Sequence, residues 1–428
     1  MTWKILRAGC TLPAALAALA VSAATAAAQP APADVLKTYS DIAQAGYEDS
    51  LATAKQLAGA IDAFLAGPSE ESLAAAKDAW FAARVPYQQT EAYRFGNAIV
   101  DDWEGRVNAW PLDEGLIDYV DAGYGTESDE NDLYVANVVA NPTLTISGET
   151  VDASEITPAL LAETLQEAGE IEANVAIGYH AIEFMLWGQD LNGTGAGAGM
   201  RPYTDYDTAN CTNGNCERRA AYLKAVTTLL VDDLDEMVQN WTSDGAARTE
   251  LMEGDQAIGI ATILTGMGSL SYGELAGERM KLGLLLHDPE EEHDCFSDNT
   301  HNSHYYDALG IQNVYLGTYK RVDGSEVSGA SVSDLVKAKA PEVDAELRAK
   351  LTATLDAMQA MKDRAEGGEA YDQMIGEGND EGNAVVQAAI DALVAQTKSI
   401  EDAVAALDLD QIAFEGSDSL DNPNAVFQ

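Results

Sequence analysis

Apolar side chains recur at every third or fourth position through most of this 428-residue chain. A period near 3.6 commits a chain to amphipathic helices whose stripes must be buried against one another. Val35 to Leu65 carries one long stripe, ended by Gly67-Pro68. Ser69-Glu70-Glu71-Ser72 opens a second helix that runs through Trp80 toward Phe95, and Pro86 within it frees the carbonyl of Ala82. Thr157 as N-cap with Pro158 at the first helical position predicts helices over 158–168 and 171–187. Leu223, Val226, Leu230, Leu234 and Val238 stripe a helix from Arg218 to Trp241, and others are predicted over 246–266, 269–286, 305–309, 332–338, 341–364 and 383–407. Gly96 to Ser154 is irregular, with an extended stretch predicted from Pro142 to Val151, and Gly193 to Gly199 reads as a flexible loop. Strand patterning is nearly absent. The predicted fold is all-α: two helical-bundle halves packed together, with irregular insertions, divided as 29–244 and 245–428.

The first 28 residues read as an export signal. Lys4 and Arg7 precede an apolar, Ala-rich run from Thr11, and Ala26-Ala27-Ala28 fits a small-residue cleavage site. Arg7 stands where a lipidation signal at Cys10 would need an aliphatic residue. No later segment offers about 20 uninterrupted apolar residues, so no membrane span is expected. The expected compartment is the periplasm, with outer-membrane association or secretion as variants of it.

Acidic residues outnumber basic ones 71 to 24, a net charge of −47. Such a surface repels nucleic acid and attracts cations, although a solvated acidic coat is the better explanation of it and the acidity only permits cation binding. Removal of the leader leaves Cys211, Cys216 and Cys295. In an oxidising compartment the turn-rich spacer Thr-Asn-Gly-Asn lets Cys211 and Cys216 pair, leaving Cys295 over.

The chemistry-bearing residues are few. Residues 178–188 read GYHAIEFMLWG, in which His180 and Glu183 stand one helical turn apart in an apolar run. Burying them demands compensation, either a hydrogen-bonded structural pair or a shared cation. The other four of the five histidines crowd into one segment, at His287, His293, His301 and His304, together with Asp288, Glu290, Glu291, Glu292, Asp294 and Asp298. In SDNTH, Asp298 can turn the chain and orient His301. Pro86 bends the second helix just before Tyr87, Glu91 and Arg94, which a continued helix would place on roughly one face. Trp103, Trp110, Tyr305, Tyr306, Tyr315 and Tyr319 read first as core, with Trp110 as an alternative wall of a site.

GYHAIEFMLWG resembles the GxHxxE signature of the imelysin family, also filed as M75 peptidases. RVPYQQTEAYRFG, VNAWPLDEGLIDYV, RPYTDY and EEHDCFSDNTHNSHYYDALGIQNVYLG resemble further family blocks in family order. The resemblance implies an all-α exported protein associated with iron-regulated or iron-uptake systems. It implies a metal ion or small metal chelate as ligand and a membrane iron-transport partner. His180 and Glu183 take the signature positions, and Glu91 is the matching carboxylate expected to join them on the metal. Iron is expected first and zinc second. The alternative is a metallopeptidase of the M75 type, but the chain has no HExxH, the arrangement in which familiar zinc peptidases place two ligands and a base.

Overall fold

The computed structural model describes residues 1–2, 30–409 and 412–427; the expected leader and its cleavage site lie almost wholly outside them. Eight main helices organise the rest: α1 (Pro32–Ala66), α2 (Glu70–Gln88), α3 (Gly178–Trp187), α4 (Cys216–Trp241), α5 (Gln256–Ser269), α6 (Thr300–Leu316), α7 (Pro341–Glu366) and α8 (Asp380–Ala406). Strands are confined, among the described residues, to two small antiparallel hairpins. In β1 (Thr143–Ile146) and β2 (Glu149–Asp152), Leu144 lies opposite Val151; β3 (Thr318–Lys320) pairs with β4 (Glu326–Ser328). The fold is all-α. No helix among the described residues is long and apolar enough to cross a membrane.

Local chemistry explains where the elements begin. Ser69 caps α2 through a reciprocal capping box with Ser72, and the Thr157 hydroxyl accepts from the Leu160 N–H. Several expected helices differ from the structure, and the one expected over 246–266 is broken at Gly254-Asp255. The 158–168 segment makes only a turn at Pro158–Leu160, followed by a wide turn at Leu161–Leu165. The expected 171–187 helix begins only at Gly178, whose φ of +88° a right-handed helix cannot continue through. The expected break between 266 and 269 is absent, because α5 runs on through a widened π segment, Leu270–Lys281, into Leu282–Leu286. The last predicted helix before residue 332 is longer than 305–309 and carries His301 and His304 within its first five residues.

α1 is the spine. It lies along α2 and α4, touches α5, and meets the β3–β4 hairpin; α7 packs on α8 and α6, and α6 on α2. One continuous apolar core runs from Val35 on α1 to Leu407 just past α8. Its aromatic centre is Trp241 at the end of α4, with ring centroids 5.9 Å from Tyr39, 6.5 Å from Tyr47 and 5.8 Å from Tyr93. These four rings join α1, α4 and the turn after α2, and Trp241 is fully buried. Trp241→Ala should therefore cost about 3–5 kcal/mol, through lost burial and the cavity left behind. Urea denaturation measures it; a loss below about 1 kcal/mol would show that the bundle collapses onto the gap and that this cluster does not hold the helices together.

Candidate metal centre

α3 enters the core with its N-terminus against the backbone of Val107. The Tyr179 N–H donates to the Val107 carbonyl at 2.7 Å, and a Cβ on Gly178 would lie 2.6 Å from that oxygen. Glycine is needed there for both its φ and the close approach. One residue further on, His180 and Glu183 turn inward together, fully buried, with His180 Nδ1 3.0 Å from Glu183 Oε2. Trp80 on α2 donates its indole N–H to the Tyr179 carbonyl at 3.0 Å, locking α2 to this turn.

The segment between α5 and α6 closes the site. Ser297 donates to Glu183 Oε1 through its N–H at 3.0 Å and its hydroxyl at 2.6 Å. His293 sets its ring edge-on to His180, centroids 4.7 Å apart. Asp294 Oδ1 lies 3.8 Å from His180 Nδ1 and accepts from Arg84 Nη2 at 2.8 Å. Asp294 Oδ2 accepts from Asn299 Nδ2 at 2.8 Å and from the Ser303 hydroxyl. One ligand atom each from His180, His293 and Asp294 falls within 4.8 Å of the others.

The electrostatics leave the imidazoles neutral. Burial, and next the Arg84 guanidinium, push His180 down to about 3. Burial and the Arg279 charge push His293 well below the ordinary histidine value. Burial raises the Asp294 carboxyl, but Arg84, His180 and the Ser303 hydroxyl outweigh it and hold the group below the usual carboxylate range. Burial and then Asp294 push Glu183 well up. Nδ1 of His180 is engaged by Glu183, while neither its Nε2 nor either nitrogen of His293 has a hydrogen-bond partner. Buried polar atoms are seldom left so in a native core. Two neutral imidazoles and one carboxylate form a donor set that suits Fe(II) or Zn(II), so the residues present fit a metal. Glu183 then acts from behind His180, orienting the ring as carboxylates do behind metal-bound histidines.

Glu91, expected as the third ligand, is placed elsewhere: its Oε2 accepts from Arg279 Nη2 at 2.8 Å. Tyr87 packs on Tyr179 with centroids 4.9 Å apart, while Arg94 pairs with Asp101 and Glu274 near the surface. These three residues diverge because α2 ends at Gln88 and the chain tightens into a 3-10 turn at Glu91–Tyr93. Trp110 lies against His293, centroids 5.5 Å apart, as a wall of the cluster. Asp298 adopts a φ of +57°, and burial raises its carboxyl to about 7. His301 contacts Asn302 through Nε2 at 3.0 Å and belongs to α6, outside the three-residue cluster. Cys211 and Cys216 form a disulfide, and Cys295 is a free thiol. His293, Asp294 and Arg84 were the residues sequence reasoning did not select, although all three stand inside the quoted blocks.

His304, on α6, gives a pH test of this buried histidine group. Both its nitrogens lack partners, and burial with the Arg279 charge pushes it down to about 3. An unfolded histidine titrates near 6.5, so as pH falls below that value the unfolded chain takes up a proton that the native chain refuses until about pH 3. Stability is full above pH 6.5 and is lost through that window. Relative to His304→Leu, the natural chain should lose about 2 kcal/mol between pH 8 and pH 5. Chemical denaturation of both at the two pH values measures it, and a pH-independent difference would contradict the burial argument.

Comparison with known proteins agrees with this architecture. The imelysin (Peptidase_M75) family model matches residues 43–400. A solved Parabacteroides distasonis protein, described as an iron-regulated protein A precursor, superposes with a TM-score of 0.62 at 21% identity, covering 89% of this chain and 97% of that one. An imelysin-like protein from Psychrobacter arcticum gives 0.53 at 17% identity, over 91% and 100%. Both establish likeness of fold. Iron-regulated protein A of Synechococcus elongatus is 37% identical over 71 residues, a match spanning 16% of this chain and 20% of the relative's length. With more than four-fifths of its length inside the family model, the chain belongs to the imelysin family.

Proposed function

We propose that this is an exported metal-binding protein serving iron uptake or homeostasis, and that His180, His293 and Asp294 hold the ion. The observation that carries this reading is the sealed trio itself: two neutral imidazoles with unengaged nitrogens beside an ionised carboxylate, all in the core. The two-imidazole, one-carboxylate donor set accepts either metal, and iron is favoured over zinc by the iron-regulated relatives. Glu183 fixes the His180 ring, Ser297 fixes Glu183, and Arg84 with Asn299 and Ser303 fixes Asp294. When bound, the metal would supply Lewis acidity and, for iron, redox chemistry. Periplasmic localisation after leader removal, and transfer to a membrane iron-transport partner, complete the reading.

Storage or carriage is favoured over peptide hydrolysis by access. A metallopeptidase must seat an extended peptide at an open coordination position. The cavities beside Trp110, Arg84 and Glu292 are lined by none of the three proposed ligands. Glu183, the carboxylate placed like a base, has both oxygens engaged by its neighbours.

Isothermal titration with anaerobic Fe(II) separates this ligand set from the one expected from sequence. His293→Ala should abolish binding. Glu91→Gln should leave affinity within about threefold, although stranding Arg279 lowers stability by about 3–5 kcal/mol. Retained binding in His293→Ala with loss in Glu91→Gln would reverse the assignment, and no binding to the natural chain would end it.

A further inference from the structure

The trio is sealed, so a metal must have a route to it. We infer that it arrives as a free hydrated divalent cation through an acidic vestibule whose innermost carboxylate is Glu292, and that anionic chelates are refused. This rests on the metal reading above and adds the form of the ligand and its path.

Two cavities carry the inference. The larger, about 410 Å³, is walled by Trp110, by the stacked rings of Tyr124 and Tyr134, and by carboxylates including Glu114, Glu290 and Glu291. The smaller, about 10 Å³, shares Glu114, Glu290, Cys295 and Phe296 with it and adds Asp190 and Glu292. Each is lined by a neighbour of the cluster and not by the cluster itself: the Trp110 ring lies on His293, and Glu292 immediately precedes His293 in the chain. Among the described residues no lysine or arginine lines either cavity.

Glu292 is the observation that separates this from an ordinary acidic surface. It is 1% exposed, lines the inner gap, and its Oε1 has no hydrogen-bond partner. An ionisable group in that position is costly unless something positive reaches it. The inner gap holds about one water molecule, which passes an ion that has shed most of its hydration shell but not an organic chelator. The outer cavity could admit a small chelate by volume, but its carboxylates repel the citrate-like or phenolate ligands that make such chelates anionic. Burial pushes Glu114 up to about 7 and raises Glu290 and Glu291 as well, so an arriving cation promotes ionisation of the wall.

Stopped-flow mixing of the full chain with Co(II) at pH 7.5, followed by cobalt d–d absorption, tests the route. Glu292→Gln and Glu114→Gln should each slow association about tenfold, with weaker salt dependence and little change in dissociation. Excess citrate should suppress loading in proportion to the free Co(II) remaining. Variants that load as fast as the natural chain, or cobalt citrate that loads as fast as the free ion, would overturn the route while leaving the metal site intact. A changed d–d spectrum in loaded Glu292→Gln would make Glu292 a ligand and overturn its delivery role. A natural chain that takes up no cobalt removes the metal reading and the route together. Should Glu292→Gln fail to fold, Glu114→Gln on the outer wall decides alone.

Discussion

The ion pair between Arg84 and Asp294 is the contact on which the rest of the centre depends. It joins residues 210 positions apart at 2.8 Å, and both side chains are almost fully buried. Arg84 also donates to Asn108 Oδ1 at 2.6 Å and lies over the Tyr179 ring at 5.1 Å, so one guanidinium touches α2, the irregular insertion, α3 and the segment before α6. Buried pairs add little net stability over an apolar substitute, yet removing one partner strands a charge at about 3–5 kcal/mol. The pair's contribution is therefore registry. It holds Asp294 beside His180 and commits the 292–299 segment to one path across α3.

That convergence explains what could be read from the chain and what could not. Helical periodicity is a local signal, so the long helices and the His180–Glu183 turn were legible. A five-residue, turn-rich spacing was enough to anticipate the Cys211–Cys216 bridge. Glu91 shows the limit. Its expected place assumed that α2 continued past Pro86 as a regular helix, whereas the chain leaves the helix at Gln88 and rotates the carboxylate toward Arg279. Likewise Gly178 announced a close approach, but nothing local could say that the visitor was the Val107 carbonyl. The partners come from long-range packing, where one sequence carries no direct signal. The quoted blocks did hold the answer in another form: Arg84, Val107, Asn108, Trp110, His180 and Asp294 lie in four blocks that meet at one place. The block RPYTDY meets a second ion network, in which Arg201 and Arg219 share Asp118 at 2.7 and 2.6 Å.

The strong acidity also acquires a structural sense. With 24 basic residues against 71 acidic ones, a chain placed at random would seldom place arginine in its core. Yet Arg84, Arg201, Arg219 and Arg279 are all buried and ion-paired. Arginine suits such sites because its planar fork binds carboxylates in fixed geometry and stays charged when desolvated. The buried arginines are thus partitioned to interior carboxylates such as Asp118, Glu91 and Asp294, whose charge they offset.

This partition bears on how the centre could take a cation at all. Asp294 already gives Oδ1 to Arg84 and Oδ2 to Asn299 and Ser303, so a metal would not meet a vacant carboxylate. Only Oδ1, with its single donor, keeps a second lone pair, and an ion bound there would share Asp294 with the guanidinium at close range. Two positive charges on one carboxylate repel, which weakens affinity relative to an undisturbed His–His–Asp set. A carrier gains from that, since a site that must release its ion cannot hold it as a structural zinc site does. Burial, and next the same Arg84 charge, keep His180 unprotonated, so protons compete poorly for the imidazole. The contact that positions the proposed ligands would also limit how tightly they hold an ion.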